Sequence, residues 1–179
     1  MRVLGLDPGS RRTGWGVVER QGNSLRFAAA GHIAPPLRLE LPQRLNHIVV
    51  EVGVQLDRWT PDGVVIEQAF YRENVRSALV LGHVRGALMV AAVQRGIAVA
   101  EYTPREIKLS VTGNGGAAKE QVAYMVRRLL GIAEELQADA ADALAGAVCH
   151  LQRARFSAPR RSSPAARRLE ALLAGRAAR

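Results

Sequence analysis

The stretch Arg2 to Glu19, RVLGLDPGSRRTGWGVVE, decides the fold of this chain. Residues 2–6, which are apolar after Arg2, predict a buried strand, and the strand ends at Asp7. The following Asp7-Pro8-Gly9-Ser10 is typical of a turn, and residues 14–19 return to a strand pattern. Ligands of open α/β sheets bind in the crevice beyond the strand ends, so this edge is a candidate functional site.

Strand and helix patterns continue outward from this stretch. A third strand is predicted over 24–33, after a short link, Gln21-Gly22-Asn23, that favours a hairpin. The spacing of apolar residues predicts the remaining elements: helices over 42–59, 74–95, 104–110, 118–130 and 138–154, and strands over 64–67 and 97–101. This order predicts an α/β fold with a mixed five-stranded sheet, three antiparallel strands plus two parallel, flanked by helices.

Length and charge predict one domain followed by a basic tail. The chain has 179 residues, 48% of them apolar, which is enough for one core. We expect a domain over 1–156 and a disordered tail over 157–179. The segment from Leu151 to Arg179 has eight arginines and a single acid, Glu170, and so carries most of the net charge of +9. A solubilising extension and a DNA contact are both open interpretations of the tail.

Composition also predicts the compartment. The charge-free stretches are shorter than the roughly 20 apolar residues of a bilayer span, so no transmembrane segment is expected. The first residues lack the pattern of a signal peptide. The single cysteine, Cys149, excludes a disulfide framework and a thiolate metal site. These features predict a soluble cytoplasmic protein.

The predicted helix 74–95 is unusually apolar. Its apolar side chains cover more than one face, and Gly82 and Gly86 leave a bare strip that another backbone could approach. A central core helix and a helix that meets a second copy of the chain both fit this pattern.

Four acidic residues share a distinctive placement. Asp7 and Glu67 end two strands, and Asp139 and Asp142, three residues apart, lie on one face at the start of the last helix. Each has an ordinary explanation by itself, as a turn former, a strand end or a helix-dipole acid. Together they predict a metal site, because crowded carboxylates repel one another and hard divalent ions bind oxygen. Two such ions about 4 Å apart suit phosphodiester hydrolysis.

Lysine usage points to the same region. Of 25 basic residues, 23 are arginine, and the two lysines, Lys108 and Lys119, bracket a glycine-rich loop. Their number could be chance. A lysine, however, presents a compact charge on a flexible stem, which suits contact with a single phosphate or attacking oxygen.

Four stretches resemble a known family when taken together. They are GLDPGSRRTGWGVVE (5–19), VVIEQAFYRENVRSALVLGHVRGA (64–87), YTPREIKLSVTGNGGAAKEQV (102–122) and DAADALAGAVCH (139–150). In this order, over about residues 1–156, they resemble RuvC, the bacterial Holliday junction resolvases of the RNase H-like fold. The resemblance implies a metal-dependent endodeoxyribonuclease that nicks two opposite strands of a four-way junction symmetrically, in homologous recombination and DNA repair.

The resemblance also implies roles for residues. It implies Mg²⁺ or Mn²⁺, two ions per active site, held by four catalytic carboxylates: Asp7, Glu67, Asp139 and Asp142. Lys119 would be catalytic, and Lys108 and Lys119 would form a basic rim that contacts DNA. Phe70 would enter the junction centre, where an exposed aromatic stacks on a base for about 1–3 kcal/mol. Tyr71 and Arg76 are further candidates for DNA contact, without a firm match to a family position.

The expected partners follow from the same resemblance. They are four-way junction DNA, a second copy in a homodimer with helix 74–95 at its interface, and the RuvA–RuvB branch-migration complex, with no membrane. A two-fold dimer would present two identical sites to a junction of approximate two-fold symmetry.

Two other functions fit parts of the sequence. Asp-x-Gly-Ser after the first strand also occurs in actin-like ATPases, but these need a second lobe. The 113–116 loop is not a P-loop either, because Ala118 rather than glycine precedes Lys119. Nucleotide binding by calorimetry would support an ATPase. A non-catalytic junction-binding protein would bind DNA through the basic tail, and a metal-dependent cleavage assay separates it from a nuclease.

Overall fold

A five-stranded sheet forms the centre of the computed structural model, which describes residues 1–68 and 75–154. The strands are β1 (Arg2–Asp7), β2 (Thr13–Gln21), β3 (Ser24–Ile33), β4 (Gly63–Glu67) and β5 (Ala98–Tyr102). Their order across the sheet is β3-β2-β1-β4-β5. The pairs β1–β2 and β2–β3 are antiparallel, whereas β1–β4 and β4–β5 are parallel. The predicted mixed sheet is therefore confirmed.

Within the described part of the chain, five helices cover the sheet, close to their predicted positions: α1 (Leu41–Trp59), α2 (Val75–Val93), α3 (Pro104–Thr112), α4 (Lys119–Leu130) and α5 (Ala138–Ala154). Thr103 and Glu106 form a capping box at the start of α3. α3 and α4 end at Gly113 and Gly131, whose positive φ angles suit glycine.

The alternation of side chains along each strand divides the core into two parts. Leu4 and Leu6 of β1 pack with α1 and α2 on one face of the sheet. Val3 packs with α3, α4 and α5 on the other face. Because successive side chains point to opposite faces, Asp7 at the end of β1 belongs to the face that α5 covers.

Helix α5 rests directly on the backbones of β1 and β2. A Cβ atom on Gly5 would lie 1.9 Å from the Ala143 carbonyl oxygen, and one on Gly14 would lie 2.0 Å from the Asp139 carbonyl oxygen. A Cβ atom on Gly16, the register partner of Gly5, would lie 2.6 Å from the Leu144 side chain. These three positions, named the glycine strip, bring the start of α5 against the end of β1.

Helix α2 has two different faces. Leu81, Val84 and Leu88 are buried, whereas Leu79 and Val90 are more than half exposed. A core helix buried on all sides is therefore the wrong interpretation of its apolar composition, since one apolar face is uncovered in the single chain.

The same helix bears on the expectation that no segment spans a membrane. By length and composition, Val75–Val93 is apolar enough to cross a bilayer, although Arg76 and Arg85 interrupt the apolar run. Arg85 pairs with Glu101 of β5, and the buried face packs in the core with α1, as in a helix that covers a sheet.

Candidate active site

Two neighbouring parallel strands bring Asp7 and Glu67 together. Gly5 and Leu6 of β1 align with Val65 and Ile66 of β4, so the next residue of each strand is an acid. Because side chains alternate along a strand, both acids point to the face that α5 covers. The sheet therefore places two carboxylates side by side at its edge, as their positions at strand ends predicted.

The glycine strip adds Asp139 and Asp142 to this pair. Gly14 is the register partner of Asp7 and contacts the Asp139 backbone directly. Asp142 follows on the next turn of the same helix. All four predicted carboxylates consequently lie at one end of the β1–α5 contact, although they are up to 135 residues apart in sequence.

The pKa of Asp7 reflects its burial first and its acidic neighbours second. Burial, followed by the charges of Glu67, Asp142 and Asp139, raises it from 3.8 to about 8, against a lowering effect of Lys119. At neutral pH Asp7 is therefore largely protonated, and its side chain hydrogen-bonds to Glu67. The cluster thus holds a proton where a bound cation would relieve the same repulsion.

The pKa of Glu67 is raised as well. Burial is the main cause and the charge of Asp142 is the next. The charge of Lys119, the hydrogen bond with Asp7 and the charge of Lys108 act in the opposite direction. Both lysines therefore favour the ionised form of this carboxylate, and the basic rim stays a prediction.

Lys119 is the first residue of α4 and contacts the cluster directly. Its Nζ donates to Asp142 Oδ2 at 3.1 Å, while its side chain remains 74% exposed. The hydrogen bond and charge of Asp142 raise the pKa of Lys119, so its ammonium stays protonated. The start of α4 is held by Gln121, whose side-chain oxygen accepts from the Ala118 N–H.

Arg12 is a member of the site that the sequence analysis missed. Its Nη1 lies 3.4 Å from Asp139 Oδ2, and its side chain is 54% exposed. The signal that could have revealed it is the pair Arg11-Arg12, which stands within six residues of Asp7 in the turn that ends β1.

The donor chemistry fits a hard divalent ion, because four carboxylates supply the oxygen ligands that Mg²⁺ prefers. Within residues 1–68 and 75–154, however, no three His, Cys, Asp or Glu side chains are close enough to enclose one ion. The raised pKa of Asp7 and this spacing are compatible, since charges act over longer distances than metal bonds. Asp139 instead contacts Arg12, and Asp142 contacts Lys119. A metal ion would compete with these basic side chains for the two carboxylates.

The remaining predicted site residues have different outcomes. Lys108 lies on α3, within electrostatic range of Glu67. Arg76 lies in the first turn of α2 and lines a groove together with Arg12. Phe70 and Tyr71 fall outside the described residues.

Comparisons with known proteins point to one family. The model of the family described as crossover junction endodeoxyribonuclease RuvC matches residues 3–150. A relative of that name from Hyphomonas neptunium is 50% identical over 149 residues, which cover 83% of this chain and 89% of the relative. Another, from Pelobacter propionicus, is 50% identical over 151 residues, covering 84% of this chain and 86% of that relative.

Solved structures give the same result. T. thermophilus RuvC in complex with a Holliday junction substrate is 35% identical, with a TM-score of 0.83 over 87% of this chain and 96% of that chain. The yeast mitochondrial Holliday junction resolvase Ydc2 has a TM-score of 0.63 at 13% identity, over 84% of this chain and 77% of that one. The second likeness concerns the fold alone.

Proposed function

Since the chain belongs to the RuvC family of crossover junction endodeoxyribonucleases, we propose that the carboxylate cluster at the end of β1 is its centre for cleaving Holliday junctions. The chain is an endodeoxyribonuclease of DNA recombination and repair with the RNase H-like fold. The observation that carries the assignment of the centre is the convergence of the four carboxylates at one end of the β1–α5 contact. The pKa of Asp7, raised to about 8 by burial and by three neighbouring carboxylates, supports it.

The proposed metal ligands are Asp7, Glu67, Asp139 and Asp142, holding Mg²⁺ or Mn²⁺, two ions per site. When bound, these ions supply charge neutralisation and an activated water for phosphodiester hydrolysis. A cation in the cluster would favour the ionised form of Asp7, whose proton would pass to solvent. The four carboxylate side chains would then fix the position of the cleavage site at the edge of the sheet.

Lys119 has a separate role in this proposal. Its ammonium is exposed and protonated beside Asp142, so it can donate to a phosphoryl oxygen whose charge grows in the transition state. Lys108 supports DNA binding from α3. Phe70, Tyr71 and Arg76 remain proposed DNA contacts.

We also propose a homodimer that acts on four-way junction DNA and works with the RuvA–RuvB complex. The uncovered apolar face of α2, which includes Leu79, Val90 and Val93, supports the dimer. Two copies related by a two-fold axis would nick opposite strands symmetrically. The cytoplasm is the proposed compartment, and the buried free thiol of Cys149 suits its reducing conditions.

Cleavage of a synthetic four-way junction tests the catalytic proposal. With Mg²⁺ or Mn²⁺ we expect paired nicks at symmetric positions. Asp7→Asn should abolish cleavage while junction binding persists, because the amide cannot replace the anionic metal ligand. Asp57→Asn is the matched control, since Asp57 is 64% exposed and pairs with Arg95 on the surface of α1. Binding without cleavage by the wild type, across both metals and varied junction sequences, would contradict the proposal.

A further inference from the structure

A groove beside the carboxylate cluster is rich in arginine. It has a volume of about 790 Å³ and is enclosed by the β1–β2 loop, the start of α1 and the first turns of α2. Among the described residues, its charged lining consists of one acid, Glu40, and four basic residues: Arg11, Arg12, Arg44 and Arg76. It is named the arginine groove below. Its excess of positive charge suits an anionic ligand.

The loop that forms one wall of the groove is held in place from within. The side chain of Thr13 is completely buried, and its Oγ1 donates to the Gly9 carbonyl oxygen at 2.8 Å. A Cβ on Gly9 would lie 2.1 Å from the Arg12 carbonyl oxygen, so the loop closes tightly on itself. The backbone of Arg11 and Arg12 is therefore fixed.

Arg44 holds the same loop from outside. From the first turns of α1, its Nε donates to the Ser10 carbonyl oxygen at 3.0 Å, and its Nη2 donates to the same oxygen. These bonds tie α1 to the loop immediately before Arg11. Arg44 thus acts through its neighbours and is a positioning residue.

Arg12 connects the groove to the carboxylate cluster. Its 3.4 Å contact with Asp139 is longer than the 2.7–2.9 Å of a strong charge-assisted hydrogen bond, and its side chain is half exposed. Its guanidinium is consequently able to exchange this contact for a phosphate. A ligand in the groove would therefore continue directly into the site of cleavage.

The described lining of the groove also indicates which part of a nucleic acid it would take. Among the described residues that line it there is no aromatic side chain on which a base could stack. Guanidinium groups bind phosphate oxygens in a fork geometry. The described lining of the groove is thus suited to a phosphodiester backbone.

We propose that the arginine groove holds the phosphodiester backbone of junction DNA next to the site of cleavage, with Arg11 and Arg12 binding phosphates. Arg44 positions both through the Ser10 carbonyl. The proposal rests on the function proposed above. It adds a binding site for the substrate backbone that does not depend on base sequence.

The salt dependence of junction binding tests the phosphate contacts. Binding is measured over a range of salt concentrations in an Asp7→Asn background, which keeps the junction uncut. Each lost phosphate contact lowers the slope of log K against log salt by about 0.9. Arg11→Ala with Arg12→Ala should therefore lower the slope by about 1 to 2. An unchanged slope in this double variant would overturn the proposal.

A matched double variant controls for net charge. Arg26 and Arg128 are exposed, on β3 and α4, and neither lines the groove. Arg26 lies near the end of the sheet opposite Asp7, because it pairs in register with Glu19, the partner of Arg2. Arg26→Ala with Arg128→Ala removes the same two charges and should leave the slope unchanged. An equal fall in this control would show a general charge effect and contradict the groove.

Variants of Arg44 test the positioning role. Arg44→Met keeps the apolar stem but removes the donors to Ser10, and it should lower the slope as Arg12→Ala does. Arg44→Lys keeps one donor and should restore most of the slope, which a packing role alone would not explain. Thermal unfolding of each variant checks the fold. A folded Arg44→Met variant with the same salt slope as the protein that retains Arg44 would overturn the positioning role. A wild type that neither binds nor cuts junctions would contradict the proposed function itself.

Discussion

At the scale of single residues, Asp7 determines the chemistry of the site. Its neighbours are three carboxylates and a lysine, and burial is the largest cause of its raised pKa. A surface aspartate in the same turn would be ionised at neutral pH and would gain less from a cation. The fold therefore makes Asp7 sensitive to whatever charge occupies the cluster.

The raised pKa predicts a pH-dependent stability in metal-free protein. Folded Asp7 keeps its proton to about pH 8, whereas the unfolded side chain loses it near 3.8. The folded state binds more protons between these values, so the free energy of unfolding falls as pH rises through this window. In a chelator, the Tm of the wild type should fall between pH 5 and pH 8.5 more steeply than that of Asp7→Asn.

Metal provides the internal control for this measurement. Saturating Mg²⁺ at pH 8.5 should raise the Tm of the wild type and leave Asp7→Asn nearly unchanged, because ligand binding to the folded state stabilises it. For a chain of this size, each kcal/mol corresponds to about 2–4 °C. Parallel pH profiles for the two proteins would be incompatible with the pKa assigned to Asp7.

At the scale of elements, the contact of α5 with the glycine strip assembles the site. Small residues of α5 meet strand positions that have no side chains: Ala143 against Gly5, and the backbone of Asp139 against Gly14. A larger side chain at either glycine would lift the helix from the sheet. Asp139 and Asp142 would move with it, away from Asp7 and Glu67.

Gly5→Ala tests this contact. The added methyl would overlap the Ala143 carbonyl, so we expect a loss of about 1–3 kcal/mol of stability, as for other overpacked cores. Cleavage at saturating protein should fall as well, because the carboxylates separate. Gly63→Ala is the control, since a Cβ there meets its nearest atom at 3.8 Å and should be tolerated. Equal stability and activity of the two variants would refute the role of the strip.

At the scale of the whole molecule, the exposed apolar face of α2 predicts the dimer. Leu79 is 62% exposed on that face, and Gly86 leaves open space beside it. Leu79→Asp should shift the protein toward monomers in sedimentation equilibrium, because burying an unpaired charge at an interface is unfavourable.

A substitution on another helix controls for the effect of a surface charge. Val54 of α1 is also apolar and 51% exposed, and Val54→Asp should leave the association state unchanged. A wild type that is monomeric at all accessible concentrations would contradict the dimer.

The basic tail can be tested by truncation after Phe156. Since the tail carries most of the net charge, its removal should weaken junction affinity and reduce the salt slope. Metal-dependent cleavage at saturating protein should persist, because the carboxylates all lie before residue 143. Loss of cleavage under those conditions would show that the tail is part of the catalytic domain.

Much of this architecture could be predicted from local sequence. Strand alternation and helix periodicity are short-range patterns, so the five strands and five helices lie close to their predicted bounds. Two acids at the ends of strands and two on one helix face are also local facts. The expectation that the two strands are parallel neighbours then predicted that these acids lie close together.

Other features depend on contacts between distant parts of the chain, and only the tertiary structure decided them. Arg12 meets Asp139 across 127 residues, and the glycine strip has meaning only once α5 lies on it. The apolar composition of α2 did not decide what the helix packs against. In the structure, the sheet covers one of its faces. The sequence by itself determined which acids could form the site, because side-chain identity and strand position are local. The structure decided the charge state of Asp7, because its pKa depends on burial and on carboxylates that other elements supply.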